Sequence, residues 1–535
     1  RHLSTATATR QQVEDLSLFV KDGYSFHGPL RNPKVQRKYA IKHLDYLWGS
    51  RAPRKAMEPD SVSFFGFPKE WTPPEASFAV RGIKNRDSVA FTRDEIVSPN
   101  KTVTAVVEDS FCNLKDPRRA FRTSQIVLKD LKNPNQDPEI LVPTEKPRSV
   151  LRMLGWGSDG TELYYANLGP RLSSLNAISV TGNAREIYRE EAGFSLPNPS
   201  SEISNDRRTV VLVRTTNIIP DELVKIDLIS GRLTTLWSPN NTFKTKAQPR
   251  VRFLAVEGCD ADFYGRLYLP SDYDKGKKYP LVFTNYVSGP GFDASVGDEV
   301  PVLAFVNQGI AVFAMNSREA NITSSTRDFR FEISRMEKPL CALEWVHRRL
   351  TDEGVIDPQR CGLTGLSYGA EIAMYAYWKT KIFRAVSVAA GSVEPTTYVS
   401  GGIPFATFLD SQGFDPPDVS YGRWRELSAG LNGRPDLPPL LIQSSDGEEY
   451  FTVETWFRLR RAGAAVEWYE YPGEGHVKRG PANKWWVYQR NLDWFRYWLK
   501  SEEDPDSAKA EQYVRWHKLQ KLGPKDDPRP VQKVP

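Results

Sequence analysis

A chain of 535 residues, 40% hydrophobic, 26% charged and 12% aromatic, is too long for one ordinary core, and two large domains are expected. Plentiful aromatics and average charge exclude a wholly disordered chain. A net charge of +6 from 72 basic and 66 acidic residues is ordinary solvated surface, so no nucleic-acid partner is expected.

The longest apolar stretch, Val300 to Met315, is broken by Asn307, Gln308 and Gly309. No run reaches the ~18 apolar residues of a membrane span, so a soluble protein with no membrane partner is expected. Cys112, Cys259, Cys341 and Cys361 are scattered, with no C-x-x-C pair and no histidine at ligand spacing. The expectation is therefore neither a disulfide scaffold nor a structural zinc. That pattern leaves the compartment open; a cytoplasmic location is expected, with the periplasm as the alternative. The first residue is Arg1, so the start of the chain is uninformative about a signal peptide. Oligomeric state is not legible.

Residues 1–90 carry Pro, Arg and Lys throughout and show no regular pattern. From about 90 to 250 the chain reads as strands and turns. Lys101–Glu108, Glu162–Ala166, Thr209–Arg214 and Glu222–Asp227 are β-rich, punctuated by Ser158-Asp159-Gly160, Asn205-Asp206 and Ser230-Gly231. A unit of roughly 40–50 residues recurs loosely, as expected for the four-stranded blades of a β-propeller, with a β-sandwich as the alternative. The stretch is short for a seven-bladed ring. Residues 1–250 are assigned to this propeller-like domain.

After Val251 strands alternate with helices. Strands are expected at Val251–Val256, Phe263–Leu269, Leu281–Tyr286, Ile310–Met315, Arg360–Gly365, Phe383–Ala389, Pro439–Gln443 and Val466–Tyr471. Helices are expected at Ile333–Arg349, Ala370–Lys379, Val453–Arg461 and Lys484–Trp498. This alternation predicts a mostly parallel sheet covered on both faces, an α/β-hydrolase domain over 251–535 with a tail from about 501. The stripe Trp485, Tyr488, Leu492, Phe495, Leu499 should face the core.

Gly365-Leu366-Ser367-Tyr368-Gly369 lies between an apolar strand and a helix. A nucleophilic serine needs its hydroxyl lifted onto a strained strand-to-helix turn, with small residues on either side to relieve crowding. The bare pattern recurs by chance; its setting here makes Ser367 the expected nucleophile. A serine is weak alone and needs a base. Of the six histidines, His347 lies in an amphipathic helix and His517 in the polar tail. His476 follows the last strand, where the order Ser, acid, His wants its base. The acid should follow the strand ending at Gln443, in a loop that offers Asp446, Glu448 and Glu449. One oxyanion donor is given by position, the backbone N–H of Tyr368. Tyr286 could supply a phenolic O–H from the turn after its strand.

Val355–Arg360 leading into GLTGLSYGAEIAM, the run NYVSGPGF from Asn285 and PGEGHVKR around His476 together resemble the prolyl oligopeptidase family of serine peptidases. The resemblance is good from Val251 to about Lys500 and looser before it. It implies a propeller over an α/β-hydrolase domain, a chamber between them, hydrolysis of short or unstructured peptides, and Tyr286 as the side-chain oxyanion donor. The family's usual aspartate position holds Gly447, so the acid must be Asp446 or Glu448. A branch that opens lasso peptides, the lasso peptide isopeptidases, is similar in using a glutamate about 28 residues before the histidine. Glu448 is therefore the expected acid and Asp446 the alternative. The branch implies hydrolysis of the isopeptide bond between a peptide's N-terminal amine and an Asp or Glu side chain, with no metal or organic cofactor. The alternatives are an oligopeptidase or an aminoacyl or dipeptidyl peptidase cutting ordinary bonds, a shell that has lost catalysis and acts as a receptor, and a generic esterase.

Overall fold

A computed structural model describes residues 88–522, apart from short internal stretches, together with 532–533. The irregular segment expected before about residue 90 lies almost wholly outside the described residues, as does the Gly-rich part of the tyrosine loop from 287 onward.

Three antiparallel sheets come first. Strands β1 (Ser88–Val97), β2 (Val103–Cys112), β3 (Phe121–Asp130) and β4 (Glu139–Val142) pair in sequence order. So do β5 (Val150–Trp156), β6 (Glu162–Leu168), β7 (Ser173–Ser179) and β8 (Ala184–Glu190). The third sheet runs β10 (Glu202–Ile203), β11 (Thr209–Thr215), β12 (Glu222–Asp227) and β13 (Leu233–Trp237), with β9 (Gly193–Ser195) also on β11. The middle sheet shows why these are propeller blades. Along β6, Leu163 and Tyr165 pack with the first sheet, whereas Tyr164 and Ala166 pack with the third. A strand that buries both alternating faces has a neighbour on either side, as stacked blades require. Polar links reinforce the stack: Trp156 Nε1 donates to the Ile96 carbonyl at 3.0 Å and Arg185 Nη1 to the Leu228 carbonyl at 3.0 Å.

The rhythm changes between Trp237 and Arg250. An eight-stranded sheet follows, in the order β14 (Arg250–Ala255), β15 (Tyr264–Leu269), β17 (Ala311–Asn316), β16 (Tyr279–Thr284), β18 (Ile356–Leu366), β19 (Ala385–Ala389), β20 (Leu440–Ser445), β21 (Val466–Tyr471). From β17 to β21 all neighbours are parallel; β14 and β15 run antiparallel at the edge. Side chains of β17 alternate between two cores, with Ala311, Phe313 and Met315 on one face and Val312 and Ala314 on the other. Helices Phe329–Asp352 and Tyr368–Lys379 cover the first face; Val302–Asn307 and Pro481–Phe495 cover the second. This is a propeller plus an α/β-hydrolase domain. Among the described residues no helix is long and apolar enough to cross a membrane.

Three expectations need correction. The segment after 501 contains a docked helix, Ala510–Gln520, whose Tyr513, Trp516 and Leu519 enter the second core. Those three apolar residues at three-residue steps are a narrow stripe in a charged stretch, which reads as tail by composition. There His517 Nε2 pairs with Glu503 at 2.7 Å. The stripe from Trp485 is core-facing only from Leu492 onward, since Trp485 is 55% exposed. Finally, Cys259 and Cys341 form a disulfide with a Cα–Cα distance of 5.8 Å across 82 residues. It ties the turn after β14 to the long helix Phe329–Asp352, a pairing that spacing alone cannot reveal. Cys361 is buried and free.

Thiol titration of the denatured, unreduced protein should therefore find two fewer thiols than after reduction. Cys259→Ser should cost about 2–5 kcal/mol of stability by loss of the cross-link, read as a lower denaturation midpoint.

Candidate active site

Strand β18 delivers Ser367 at its end, with φ 58° and ψ −129°, and the helix Tyr368–Lys379 starts at the next residue. Such a conformation is strained for a residue with a Cβ and persists only where the surroundings over-determine it. They do. The Ser367 N–H donates to the carbonyls of Ala389 and Ala390 at 3.1 and 2.8 Å, and its own carbonyl accepts from Ala370 and Glu371. A Cβ on Gly365 would lie 2.2 Å from the Gly369 carbonyl oxygen, and one on Gly369 would lie 2.7 Å from that of Asn285. These contacts are the physical content of the G-x-S-x-G spacing. As the first residue of its helix, Tyr368 has an N–H with no acceptor in a preceding helical turn.

The tyrosine loop is fastened to the same turn. Buried Asn285 donates through Nδ2 to the carbonyls of Thr364 and Gly369 at 3.3 and 3.1 Å. The next residue, Tyr286, has φ 103°, and its ring meets that of Tyr368 edge-on at 5.4 Å between centroids. The two expected oxyanion donors thus belong to residues in direct contact.

His476 sits after β21 in a loop without regular structure. Its neighbour Val477 packs against Leu366, Ala389 and Ala390, which brings the loop beside the serine turn. His476 Nδ1 lies 2.7 Å from Glu448 Oε1. Asp446 faces elsewhere: its Oδ2 accepts the Gly473 N–H at 3.3 Å, and its backbone N–H continues the β20–β21 pairing onto the Tyr471 carbonyl at 3.2 Å. Gly447, at φ 79°, then turns the chain so that Glu448 reaches the imidazole. Of the two carboxylates expected to compete, only Glu448 shares a hydrogen bond with His476.

Sequence reasoning missed several supporting groups. Glu474, nearly buried, accepts from the N–H groups of Arg479 and Gly480 at 2.7 and 2.9 Å and from Asn483 Nδ2 at 2.9 Å. It thereby closes the loop that carries His476. It stands inside the PGEGHVKR run, but nothing in that run distinguishes a clamp from a surface acid. Glu394 is fully buried and accepts from Gly430 N–H at 2.8 Å and Thr455 Oγ1 at 2.7 Å, joining the segment after β19 to the helix Val453–Arg461. Glu371, one turn after Ser367, has its carboxyl pushed up to about 7 by burial, against the pull of Arg335 and His476. Among the described residues Asp446, Glu449 and Glu470 bring carboxylate oxygens within 4.8 Å of one another.

Residues 301–502 match the model of the prolyl oligopeptidase family. A curated protein of Asticcacaulis excentricus, the lasso peptide isopeptidase AtxE2, is 33% identical over 314 residues, which cover 57% of this chain and 45% of that protein. The solved AtxE2 structure without ligand is similar with a TM-score of 0.68 at 26% identity, covering 80% of this chain and 65% of that one. Another AtxE2 structure, a serine-to-alanine variant, has Astexin3-dC4 bound. A puromycin-hydrolyzing peptidase of Mycobacterium tuberculosis shares the fold, with a TM-score of 0.54 at 16% identity over 78% of this chain and 71% of that one. The chain therefore spans about half the length of that curated protein.

A carboxyl with a folded pKa near 7 and an unfolded value near 4.3 binds more protons when folded. Its favourable contribution is complete below about 4.3 and is lost as pH rises through about 7. Glu371→Gln should thus raise the melting temperature at pH 8 relative to wild type and change it little near pH 5, checked by thermal denaturation across that range.

Proposed function

We propose that this chain, whose residues 301–502 belong to the prolyl oligopeptidase family, is a serine hydrolase that opens lasso peptides at their isopeptide bond. The observation that carries this reading is the 2.7 Å contact between Glu448 Oε1 and His476 Nδ1. A glutamate acid 28 residues before the histidine is what the resemblance to the isopeptidase branch implies, and the similarity to AtxE2 supports it.

In this mechanism Glu448 accepts the Nδ1 proton of His476, fixing the tautomer in which Nε2 takes a proton. Ser367 Oγ attacks the carbonyl carbon of the Asp or Glu side chain in the peptide ring, and its proton passes to His476 Nε2. Negative charge gathers on the former carbonyl oxygen and is met by the Tyr368 N–H and the Tyr286 O–H. His476 then gives its proton to the departing N-terminal amine of the peptide. The ring opens and an ester to Ser367 remains. Water, activated by the same imidazole, attacks that ester and restores the serine, leaving a linear peptide with a free amine and a free side-chain carboxylate. The balance is one water consumed per bond.

The resemblance to the family supports a role for the propeller domain as a filter that admits slender peptides and excludes folded proteins. The Cys259–Cys341 disulfide supports an oxidising compartment, the periplasmic of the two locations expected from sequence.

Incubation with a threaded lasso peptide should produce a species heavier by one water that no longer resists carboxypeptidase, while the already linear peptide stays intact. Cleavage of the linear form instead would mean an ordinary oligopeptidase. Glu448→Ala should lower kcat on the order of 10³–10⁴-fold, as loss of the orienting acid does elsewhere, with Asp446→Ala costing less than about tenfold in the same steady-state assay.

A further inference from the structure

The long helix Phe329–Asp352 contains Pro339, and proline has no N–H to give. The helical partner of that missing donor is the carbonyl four residues earlier, at Arg335. That carbonyl accepts the Tyr368 hydroxyl instead, at 2.7 Å. The side chain of the same arginine holds the tyrosine a second time, with its guanidinium 4.5 Å from the ring centroid. Arg335 in turn is paired with buried Glu332 one turn back. Tyr368 is therefore held at its hydroxyl and across its ring face, and its edge contact fixes Tyr286.

We propose that Arg335 and Pro339 form a socket that positions Tyr368, and through it the two oxyanion donors of the site. They are positioning residues, acting through Tyr368 and Tyr286 without touching the reacting atoms. The proposal rests on the reading of Ser367 as nucleophile, but not on which peptide is the substrate.

The chemistry of the surroundings agrees. Burial works against the Arg335 charge, but Tyr368, Glu332 and Glu371 around it outweigh that and keep it protonated. The Tyr368 hydroxyl is held neutral by burial and remains a donor. An oxyanion hole works because its donors are already aimed when charge develops, so a shift on the order of 1 Å can cost about 100-fold in rate. The carbonyl that a proline leaves without its helical donor is a fixed acceptor aimed by the helix itself, stiffer than a side-chain acceptor would be.

The test is the rate at which a fluorophosphonate labels Ser367, since that reaction needs the nucleophile and the oxyanion hole but no peptide. Steady-state kinetics and melting temperature are measured alongside. Tyr368→Phe, which keeps the ring and removes the hydroxyl, and Arg335→Met should each slow labelling about 10- to 100-fold. Both should lower kcat with KM within about twofold. Arg335→Lys, which restores a cation over the ring, should recover most of the loss.

Pro339→Ala is the sharpest variant. It returns an N–H to the helix, which competes for the Arg335 carbonyl, and replaces proline by a better helix former. Labelling should slow although the melting temperature does not fall. Wild-type labelling rates in Tyr368→Phe and Pro339→Ala would overturn the proposal, as would losses that follow a falling melting temperature or appear in KM. If the wild type labels but leaves lasso peptides closed, the substrate reading fails and the socket stands. If the wild type does not label, the serine-hydrolase reading fails with it.

Discussion

Everything at the candidate site hangs on one region of backbone crowding. Ser367 can occupy φ 58° because the ends of β16, β18 and β19 converge there too closely for ordinary side chains. Gly365 and Gly369 face each other across the turn; Gly391, at φ 151°, would place a Cβ 2.5 Å from the Ser367 carbonyl oxygen. The crowding has a directional result. Asn285 is locked onto Thr364 and Gly369, so Tyr286 must emerge beside the serine, and Tyr368 must open the helix facing it. The expected nucleophile and both expected oxyanion donors are thus set by one piece of packing at the carboxyl ends of parallel strands, where open α/β sheets place their ligands.

The histidine loop is held by a different principle. It has no regular secondary structure and three glycines nearby, Gly473, Gly475 and Gly480, so its shape must come from side chains. Three acids divide that work. Asp446 takes the Gly473 N–H on the near side, Glu474 takes the backbone of Arg479 and Gly480 on the far side, and Glu448 takes the imidazole between them. Each carboxylate accepts from donors that would otherwise need water, and hydrogen bonds to charged groups are worth about 1.5–3 kcal/mol each. The extra methylene of glutamate matters here. Asp446 is pinned to the end of the sheet by its own N–H, so an acid that reaches the imidazole must start farther out and extend farther.

How much of this was legible depends on whether a residue's role is local. The strands of the hydrolase sheet announce themselves because both faces are buried, and β21 runs from Val466 to Tyr471 as its composition suggests. Blade strands stand out by their β-branched and aromatic content between turn signals, and the serine turn carries its own steric signature. Long-range roles left no mark. Cys259 and Cys341 are 82 residues apart and read as scattered thiols. Glu474 and Glu394 read as ordinary acids until burial shows that their oxygens face backbone donors. The short helices Pro395–Ser400, Gly402–Ser411 and Tyr421–Leu427 were missed because each is too brief or too evenly mixed for a 3.6-residue period to stand out. The docked C-terminal helix was missed for a related reason: three aromatic and aliphatic anchors suffice when the rest of the helix stays in water.

The placement of buried charge gives the last constraint. Taking an ion pair out of water costs enough that apolar residues of the same volume often stabilise a fold as well or better, so a buried pair needs a reason beyond stability. In the hydrolase domain, besides the buried acids Glu394 and Glu474, two such places stand out. Lys509 bridges Asp493 and Asp504 where the C-terminal helix docks, which fixes the register of a helix whose apolar stripe is narrow. The other place is near the serine turn, where Glu332, Arg335 and Glu371 stand on two helices whose Met336, Ala342, Leu343 and Ile372 enter the first core. Apolar side chains there would fill the same space. They could not aim a tyrosine, because dispersion contacts do not favour one ring direction as strongly as a hydrogen bond and a cation over the ring do together.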